Sequence, residues 1–290
     1  MQLPSPIHSI SYNGTTLSIK RDDLIDPFIS GNKWRKLKYI LLDAAKHNKN
    51  HLVTFGGAYS NHLLATAAAA AKHHLQVTAF VRGEEVNNPM LSLCKIFGMQ
   101  LYFVDRESYK NKPRLYELHF GSNQSAYFID EGGASEEATI GCTEIIDELN
   151  EQFDYIFCAA GTGTTAAGLL KGINQLDLET QLHVIPVLKG GDFIKDEIFK
   201  YEKNLTKLHL HTDYHFGGYA KTTPELISFI KDFTSKTGVL IDPVYTGKMF
   251  YAINDLIESK QISKDAKILA IHTGGLFGIL GKIDEFSKIS

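Results

Sequence analysis

The stretch YIFCAAGTGTTAAGL at residues 155–169 decides the fold class. Its first six residues form a continuous apolar run, which is typical of a strand buried on both faces. A turn rich in glycine and threonine then leads directly into an alanine- and leucine-rich helical segment. A buried strand that turns at once into a helix is the repeating unit of parallel α/β sheets. The stretch therefore predicts an α/β fold.

Short apolar runs alternate with helical patterns on both sides of this stretch, and Asn13-Gly14 predicts a hairpin near the start. We expect two open, twisted, mostly parallel sheets flanked by helices. We place a small α/β domain at 46–132, and a large domain at 1–45 together with 133–290. The predicted strands are 7–12, 16–20, 51–55, 76–81, 100–104, 126–129, 155–159, 183–187, 208–212, 239–241 and 266–271.

The composition predicts a folded chain that binds neither nucleic acid nor a membrane. Hydrophobic residues make up 43% and charged residues 22% of the 290 positions, and the net charge is −3 without a basic block. No apolar run reaches membrane-spanning length, and the start MQLPSPIHSI lacks a signal-peptide pattern. Three widely spaced cysteines and scattered histidines predict a reduced, cytoplasmic setting without a metal site.

The segment SGNKWRK at 30–36 places a lysine at the start of the first long helix. The positive field of the helix N-terminus, together with burial, would lower the pKa of Lys33 and favour the neutral amine that reacts with an aldehyde. Lys36 lies one turn later on the same side and is suited to reach a phosphate. The alternative is a solvated basic helix start, since Arg35 and Lys38 crowd the same turn.

The segment GGAYSNH at 56–62 follows a predicted strand and opens a helix. Its glycines allow the backbone to approach a ligand closely, and the exposed N–H groups form an anion site. Ser60 or Asn61 would cap the helix in that arrangement. An ordinary strand-to-helix turn with a good cap explains the segment equally well.

The turn at 161–165 predicts phosphate binding, since its backbone N–H groups lie where a strand ends and a helix begins. With Ala166 it reads GxGxxA, which resembles a dinucleotide fingerprint. That fingerprint also requires an acidic residue after the next strand, and none follows 183–187. The threonine hydroxyls suit a single terminal phosphate, and a plain loop is the alternative.

Three further positions follow strands or precede helices. Tyr245, in DPVYTGK at 242–248, would lie at the carboxyl edge of a sheet, where α/β proteins bind ligands. A phenol there moves protons or positions a carboxylate, although a half-buried tyrosine with a satisfied hydroxyl is the alternative. Thr273 follows the last strand at the same edge, and Tyr219 places another phenol in a loop.

Taken together, these segments resemble one family, the pyridoxal-phosphate (PLP) dependent 1-aminocyclopropane-1-carboxylate (ACC) deaminases and D-cysteine desulfhydrases. The resemblance covers nearly the whole chain and implies the tryptophan synthase β-subunit-like fold, fold type II. It also implies a homodimer that acts on a small amino acid. The matching motifs are KRDD at 20–23, GNKWRKL at 31–37, GGAYSNH at 56–62, AGTGTTAAGL at 160–169, DPVYTGK at 242–248 and IHTGG at 271–275.

The resemblance also implies roles for individual residues. Lys33 would carry PLP as a Schiff base and later act as the catalytic base. Ser60 would hold the substrate carboxylate, and Asn61 would contact the phenolic oxygen of PLP. The other implied residues are Lys36, Gly161, Thr162, Gly163, Thr164 and Thr165 at the phosphate, Tyr219 and Tyr245 on the substrate side, and Thr246 and Thr273 beside the cofactor.

The departures from the family pattern point to the reaction. ACC deaminases carry a glutamate where this chain has Thr246, and they lack the threonine at 273; Tyr59 replaces a common glutamine. A hydroxyl stabilises a protonated pyridine far less than a carboxylate does, which suits departure of a β-leaving group. We expect a PLP-dependent carbon-sulfur lyase that converts D-cysteine to pyruvate, ammonia and sulfide. The alternatives are ACC deaminase, a nicotinamide-dependent oxidoreductase, and a protein that binds PLP or an amino acid without turnover.

Overall fold

The computed structural model describes residues 1–287 and contains ten strands, ten α-helices and four short 3₁₀ helices within them. The strands are β1 (Ile7–Tyr12), β2 (Thr15–Lys20), β3 (His51–Gly57), β4 (Gln76–Arg82), β5 (Gln100–Val104), β6 (Ala126–Ile129), β7 (Tyr155–Ala160), β8 (Gln181–Pro186), β9 (Leu208–Leu210) and β10 (Ile268–Ile271). The helices are α1 (Asn32–Lys46), α2 (Asn61–Lys72), α3 (Pro89–Ile96), α4 (Lys112–Phe120), α5 (Glu136–Asp147), α6 (Thr164–Gln175), α7 (Phe193–Tyr201), α8 (Pro224–Thr237), α9 (Thr246–Glu258) and α10 (Ile283–Ser287).

The chain divides into two compact units. Unit 1 comprises Met1–Asp26, Ser30–Asn32 and Cys142–Ser290, and unit 2 comprises Pro27–Ile29 and Lys33–Gly141. The domain boundaries expected from the sequence, 46–132 against 1–45 with 133–290, stay a prediction. No helix within residues 1–287 has the length and apolar character needed to cross a membrane.

Unit 1 contains a six-stranded sheet in the order β1-β2-β10-β7-β8-β9. Apart from the β1–β2 hairpin, every pairing in it is parallel. Asn13 and Gly14 both adopt positive φ, 48° and 77°, as the predicted two-residue hairpin turn requires.

The central strand β7 is buried on both faces, as its unbroken apolar sequence predicts. Ile156, Cys158 and Ala160 belong to one hydrophobic cluster, together with residues of α6. Phe157 and Ala159 belong to the other, together with residues of α8 and α9. The period of two along the strand thus builds a core on each side of the sheet.

Unit 2 contains a four-stranded, fully parallel sheet in the order β5-β4-β3-β6. The alanine-rich helix α2 is almost entirely buried. Phe55 and Phe80 stack in the core of this unit with ring centroids 5.1 Å apart. The two sheets confirm the predicted fold class: α/β, with two mostly parallel sheets flanked by helices.

The predicted strand at 239–241 is wrong, because this segment forms no strand in the structure. Both neighbouring positions beside β10 are taken, by β2 and β7. The Leu240 carbonyl instead accepts a hydrogen bond from the His272 ring, 2.8 Å away. The apolar run correctly indicates burial, because Val239 and Ile241 are both buried. Burial alone does not distinguish a strand from a buried loop.

Candidate active site

The glycine-threonine turn lies at the carboxyl end of β7 and opens α6, as the sequence predicts. Gly163 caps this helix in a left-handed conformation (φ 75°), and no side chain caps it. A Cβ on Gly161 would lie 3.2 Å from Cε1 of Tyr245, so a side chain there would press on the phenol ring. The Thr162 and Thr164 hydroxyls lie 3.3 Å apart. The turn therefore presents backbone N–H groups and hydroxyls, which suit a phosphate.

The SGN segment of unit 1 packs beside this turn. The Asn32 side-chain amide donates to Oγ1 of Thr165 at 2.8 Å. Gly31 has a φ of 64°, and a Cβ on it would overlap the carbonyl of Thr273. That carbonyl accepts a hydrogen bond from the Asn32 N–H at 3.3 Å. The residue directly before Lys33 is thus tied to both the predicted phosphate turn and the IHTGG motif.

A buried His272 holds the IHTGG motif in place. Its ring donates to Leu240, so its Nδ1 accepts from the Gly274 N–H, at 3.3 Å. Asp23 of the KRDD motif lies 3.5 Å from the same Nδ1 and binds Arg21 through both carboxylate oxygens. The two motifs meet through the backbone, since the Asp23 N–H donates to the His272 carbonyl at 3.1 Å. Sequence reasoning assigned no role to either His272 or Asp23.

The two lysines of GNKWRK lie on α1 in unit 2. Lys33 is half-buried, and Lys36 is buried. The Lys36 ammonium donates to the Gly132 carbonyl at 3.0 Å. Its assistance at a phosphate therefore stays a prediction.

The GGAYSNH turn lies at the carboxyl end of β3 in unit 2. Ser60 is the N-cap of α2, accepting from the Leu63 N–H at 3.4 Å, and Asn61 is the first helical residue. A Cβ on Gly56 would lie 2.8 Å from the Ser60 hydroxyl oxygen. The glycine thus lets the Ser60 hydroxyl fold back over the strand end.

Sequence reasoning missed His62, the last residue of this motif. Its Nε2 lies 2.7 Å from the Thr54 hydroxyl, which itself donates to the Ile129 carbonyl at 3.1 Å. Nε2 therefore carries the proton, and Nδ1 is a bare acceptor without a hydrogen-bond partner in residues 1–287. Burial, and then the positive charges of Lys33 and Lys36, hold the pKa of His62 well below its usual range. A buried, neutral imidazole thus belongs to the environment of Lys33.

In unit 1, a second missed residue shapes the DPVYTGK turn. The buried carboxylate of Asp242 accepts from the N–H groups of Val244 at 2.8 Å and Tyr245 at 2.9 Å. It also accepts from the Thr246 N–H and hydroxyl, each at 2.8 Å. The Thr246 hydroxyl in turn accepts from the Asp242 N–H at 2.8 Å. Thr246 is fully buried and donates its one hydroxyl proton to Asp242.

The structure brings the two predicted tyrosines together in unit 1. The Tyr245 hydroxyl donates to the Tyr219 hydroxyl at 3.3 Å, and the rings cross at 74° with centroids 6.1 Å apart. Tyr219 is 45% exposed. Because the Tyr245 ring also borders Gly161, this tyrosine pair adjoins the predicted phosphate turn.

Three features of unit 1 suit a cofactor that carries a phosphate. They are a helix start without a side-chain cap, glycines that leave no room for a Cβ, and buried hydroxyls. No group of histidine, cysteine and carboxylate side chains able to hold a metal occurs in residues 1–287.

The chain belongs to the pyridoxal-phosphate dependent enzyme family, whose sequence profile matches residues 3–274. The chain is therefore a PLP-dependent enzyme, and this finding replaces the nicotinamide alternative.

More specific relatives share nearly the whole chain. An Arabidopsis thaliana protein named bifunctional D-cysteine desulfhydrase/1-aminocyclopropane-1-carboxylate deaminase, mitochondrial, is 31% identical and is aligned over 99% of this chain and 80% of its own length. A D-cysteine desulfhydrase from Salmonella paratyphi A is 29% identical and is aligned over 94% of this chain and 92% of its own length. A crystal structure described as an ACC deaminase homologue superposes with a TM-score of 0.87 at 32% identity, over 100% of this chain and 94% of that one.

Proposed function

We propose that this protein is a D-cysteine desulfhydrase-like lyase, which releases sulfide by α,β-elimination and leaves an aminoacrylate that water hydrolyses to pyruvate and ammonia. One observation carries the proposal. The position after Tyr245 holds a neutral threonine, which is fully buried and whose hydroxyl proton is committed to Asp242. No ionised side chain occupies that position to stabilise a protonated pyridine. The similarity to proteins named D-cysteine desulfhydrase supports the same assignment.

When bound, pyridoxal phosphate supplies an aldehyde that takes up an amine and a ring that withdraws electrons from Cα. Lys33 is proposed to hold this aldehyde and then, as a free amine, to remove the Cα proton of the substrate. Residues 161–165 would bind the phosphate, with Lys36 assisting, and Asn61 would contact the phenolic oxygen. Ser60 binds the substrate carboxylate.

The tyrosine pair is proposed to act on the substrate side. Tyr245 donates to Tyr219, so the two phenols form one hydrogen-bonded pair, and each hydroxyl is a group that can give or take a proton. Tyr219 or Tyr245 can therefore pass a proton during elimination. Thr246 and Thr273 are proposed to lie beside the cofactor.

A neutral residue at position 246 decides between two reactions in physical terms. A carboxylate next to the pyridine nitrogen would favour its protonated form, and so strong withdrawal of electrons from Cα. A hydroxyl at the same position favours the protonated pyridine far less. In β-elimination the thiolate departs as the Cα proton is removed, so less negative charge accumulates. Opening of a cyclopropane ring lacks such a leaving group and is the less suited reaction.

The second candidate is ACC deaminase activity, favoured by the name of the plant relative and by the ACC deaminase homologue of known structure. Purified protein should be assayed side by side for pyruvate from D-cysteine and 2-oxobutyrate from ACC, with L-cysteine included. We expect D-cysteine to give the higher kcat/KM. A clear preference for ACC would show that the argument from Thr246 is wrong.

Lys33→Ala is expected to abolish both the visible absorbance of lysine-bound PLP and turnover, because no other residue is proposed to hold the aldehyde. Lys46→Ala is the matched control, since Lys46 is an exposed lysine at the other end of α1. It should keep both the absorbance and the activity. Activity retained by Lys33→Ala would overturn the assignment of Lys33.

We also propose a cytoplasmic homodimer, on the resemblance to the family. Light scattering of the purified protein measures its mass against 32.3 kDa per chain. A monomer at all concentrations would contradict the dimer.

A further inference from the structure

Lys248 is a fully buried lysine in the first turn of α9, within unit 1. Its ammonium donates three hydrogen bonds to backbone carbonyls. Two go to His215 and Gly218, each at 2.8 Å, and one goes to Val187 at 3.2 Å. The three N–H donors of an ammonium are thereby all used. An apolar side chain of the same length would leave these carbonyls without this donor.

The carbonyls at 215 and 218 belong to the loop that carries Tyr219. Four residues of this loop adopt positive φ: Phe216 (51°), Gly217 (93°), Gly218 (121°) and Ala220 (53°). Phe216 and Ala220 are not glycines, so their left-handed conformations are unfavourable in isolation. The loop therefore depends on contacts outside itself to keep this shape.

Lys248 links the two phenols through the backbone. It lies three residues after Tyr245, in the turn that Asp242 organises. It binds the carbonyl of Gly218, the residue directly before Tyr219. One buried ammonium thus joins the helix start that carries Tyr245 to the loop that carries Tyr219.

From this arrangement we infer that Lys248 is a positioning residue, which holds the Tyr219 phenol against Tyr245 so that the pair can serve the substrate. The role of the two phenols toward the substrate rests on the proposed function. The way in which Lys248 holds them rests on the geometry alone. Lys248 itself acts only through the loop.

The protonation of Lys248 is consistent with its role as a hydrogen-bond donor to the loop. Burial lowers its pKa to about 8, with Asp242 raising the pKa and Lys282 lowering it. At neutral pH the side chain is therefore still an ammonium with three donors.

The first test measures the loop and needs no knowledge of the substrate. Lys221 is exposed just after Tyr219, so trypsin cleavage after it reports local opening of the loop. In the PLP-loaded Lys248→Met variant, cleavage at this site should be faster by about 100-fold, which corresponds to losing two loop hydrogen bonds from a charged donor. Lys195→Met, at an exposed position of α7, is the control and should be cleaved at the wild-type rate.

The second test is a double-mutant cycle on kcat. If Lys248 acts through Tyr219, Lys248→Met should lower kcat in the wild-type background and add little in the Tyr219→Phe background. Lys248→Gln, which keeps an amide donor, should lie between wild type and Lys248→Met, and it replaces the methionine variant if that one does not fold.

The outcomes separate the two proposals. Unchanged cleavage after Lys221, or losses in kcat that multiply independently, would overturn the positioning role. Faster cleavage in a protein that eliminates none of the tested amino acids would confirm the anchor and refute the proposed function.

Discussion

Asp242→Asn is expected to destabilise unit 1 strongly, because one carboxylate organises the whole start of α9. Its two oxygens accept four hydrogen bonds, from three backbone N–H groups and the Thr246 hydroxyl. Asparagine keeps one acceptor oxygen and turns an NH₂ group toward the other pair of donors. Two hydrogen bonds to a charged group are lost, at about 1.5 kcal/mol or more each, so the expected loss is about 3 kcal/mol.

Urea unfolding followed by far-UV circular dichroism measures this loss. With a denaturant slope of about 3 kcal/mol per M, the unfolding midpoint should fall by about 1 M. Asp265→Asn, at an exposed position before β10, is the matched control and should leave the midpoint in place. A midpoint shift under about 0.3 M for Asp242→Asn would refute the view that this carboxylate shapes the turn.

Two further predictions follow from the packing of unit 1. Gly31→Ala should lower the melting temperature by several degrees and weaken PLP binding, because the new Cβ overlaps the Thr273 carbonyl and the residue has a φ of 64°; wild-type melting and PLP affinity would contradict this packing. Burial, and then the neighbouring His211 and His209, lower the pKa of His183 from 6.5 to about 3. The unfolded chain therefore binds a proton that the folded chain does not, so the free energy of unfolding should fall as the pH decreases from 6.5 toward 3. His183→Phe should make this fall shallower, and an unchanged slope would show that His183 does not cause it.

Local sequence was sufficient to predict the elements that carry the site. The apolar run of β7, the turn at 161–165 and the start of α6 are adjacent in the chain, so their geometry follows from neighbouring residues. The same holds for β3, the GGAYSNH turn and α2. The motif order then pointed to the family, which the sequence profile confirmed. The roles of individual site residues stay predictions.

The segments that sequence reasoning misjudged depend on distant partners. The run at 239–241 looks like a strand, but β10 already has two neighbours, and His272 binds the Leu240 carbonyl instead. Helix α4 was missed for a different reason, since its start signal, Asn111 capping a turn that contains Pro113, is local and was overlooked. A strand needs a free edge as well as an apolar sequence, and the sequence does not record which edges are taken.

The sequence by itself determined the two sheets, the strand-to-helix turns and the residue types offered at them, because each arises from hydrophobic period and local backbone preference. The tertiary structure alone decided which polar groups meet. Only the fold shows that Asp242 accepts a hydrogen bond from the Thr246 hydroxyl and that Lys248 reaches from α9 to the loop of Tyr219. It also shows that Nδ1 of His62 has no hydrogen-bond partner among residues 1–287. The contact between Lys248 and Gly218 joins positions 30 residues apart, and a buried polar group takes whichever partner packing brings within reach.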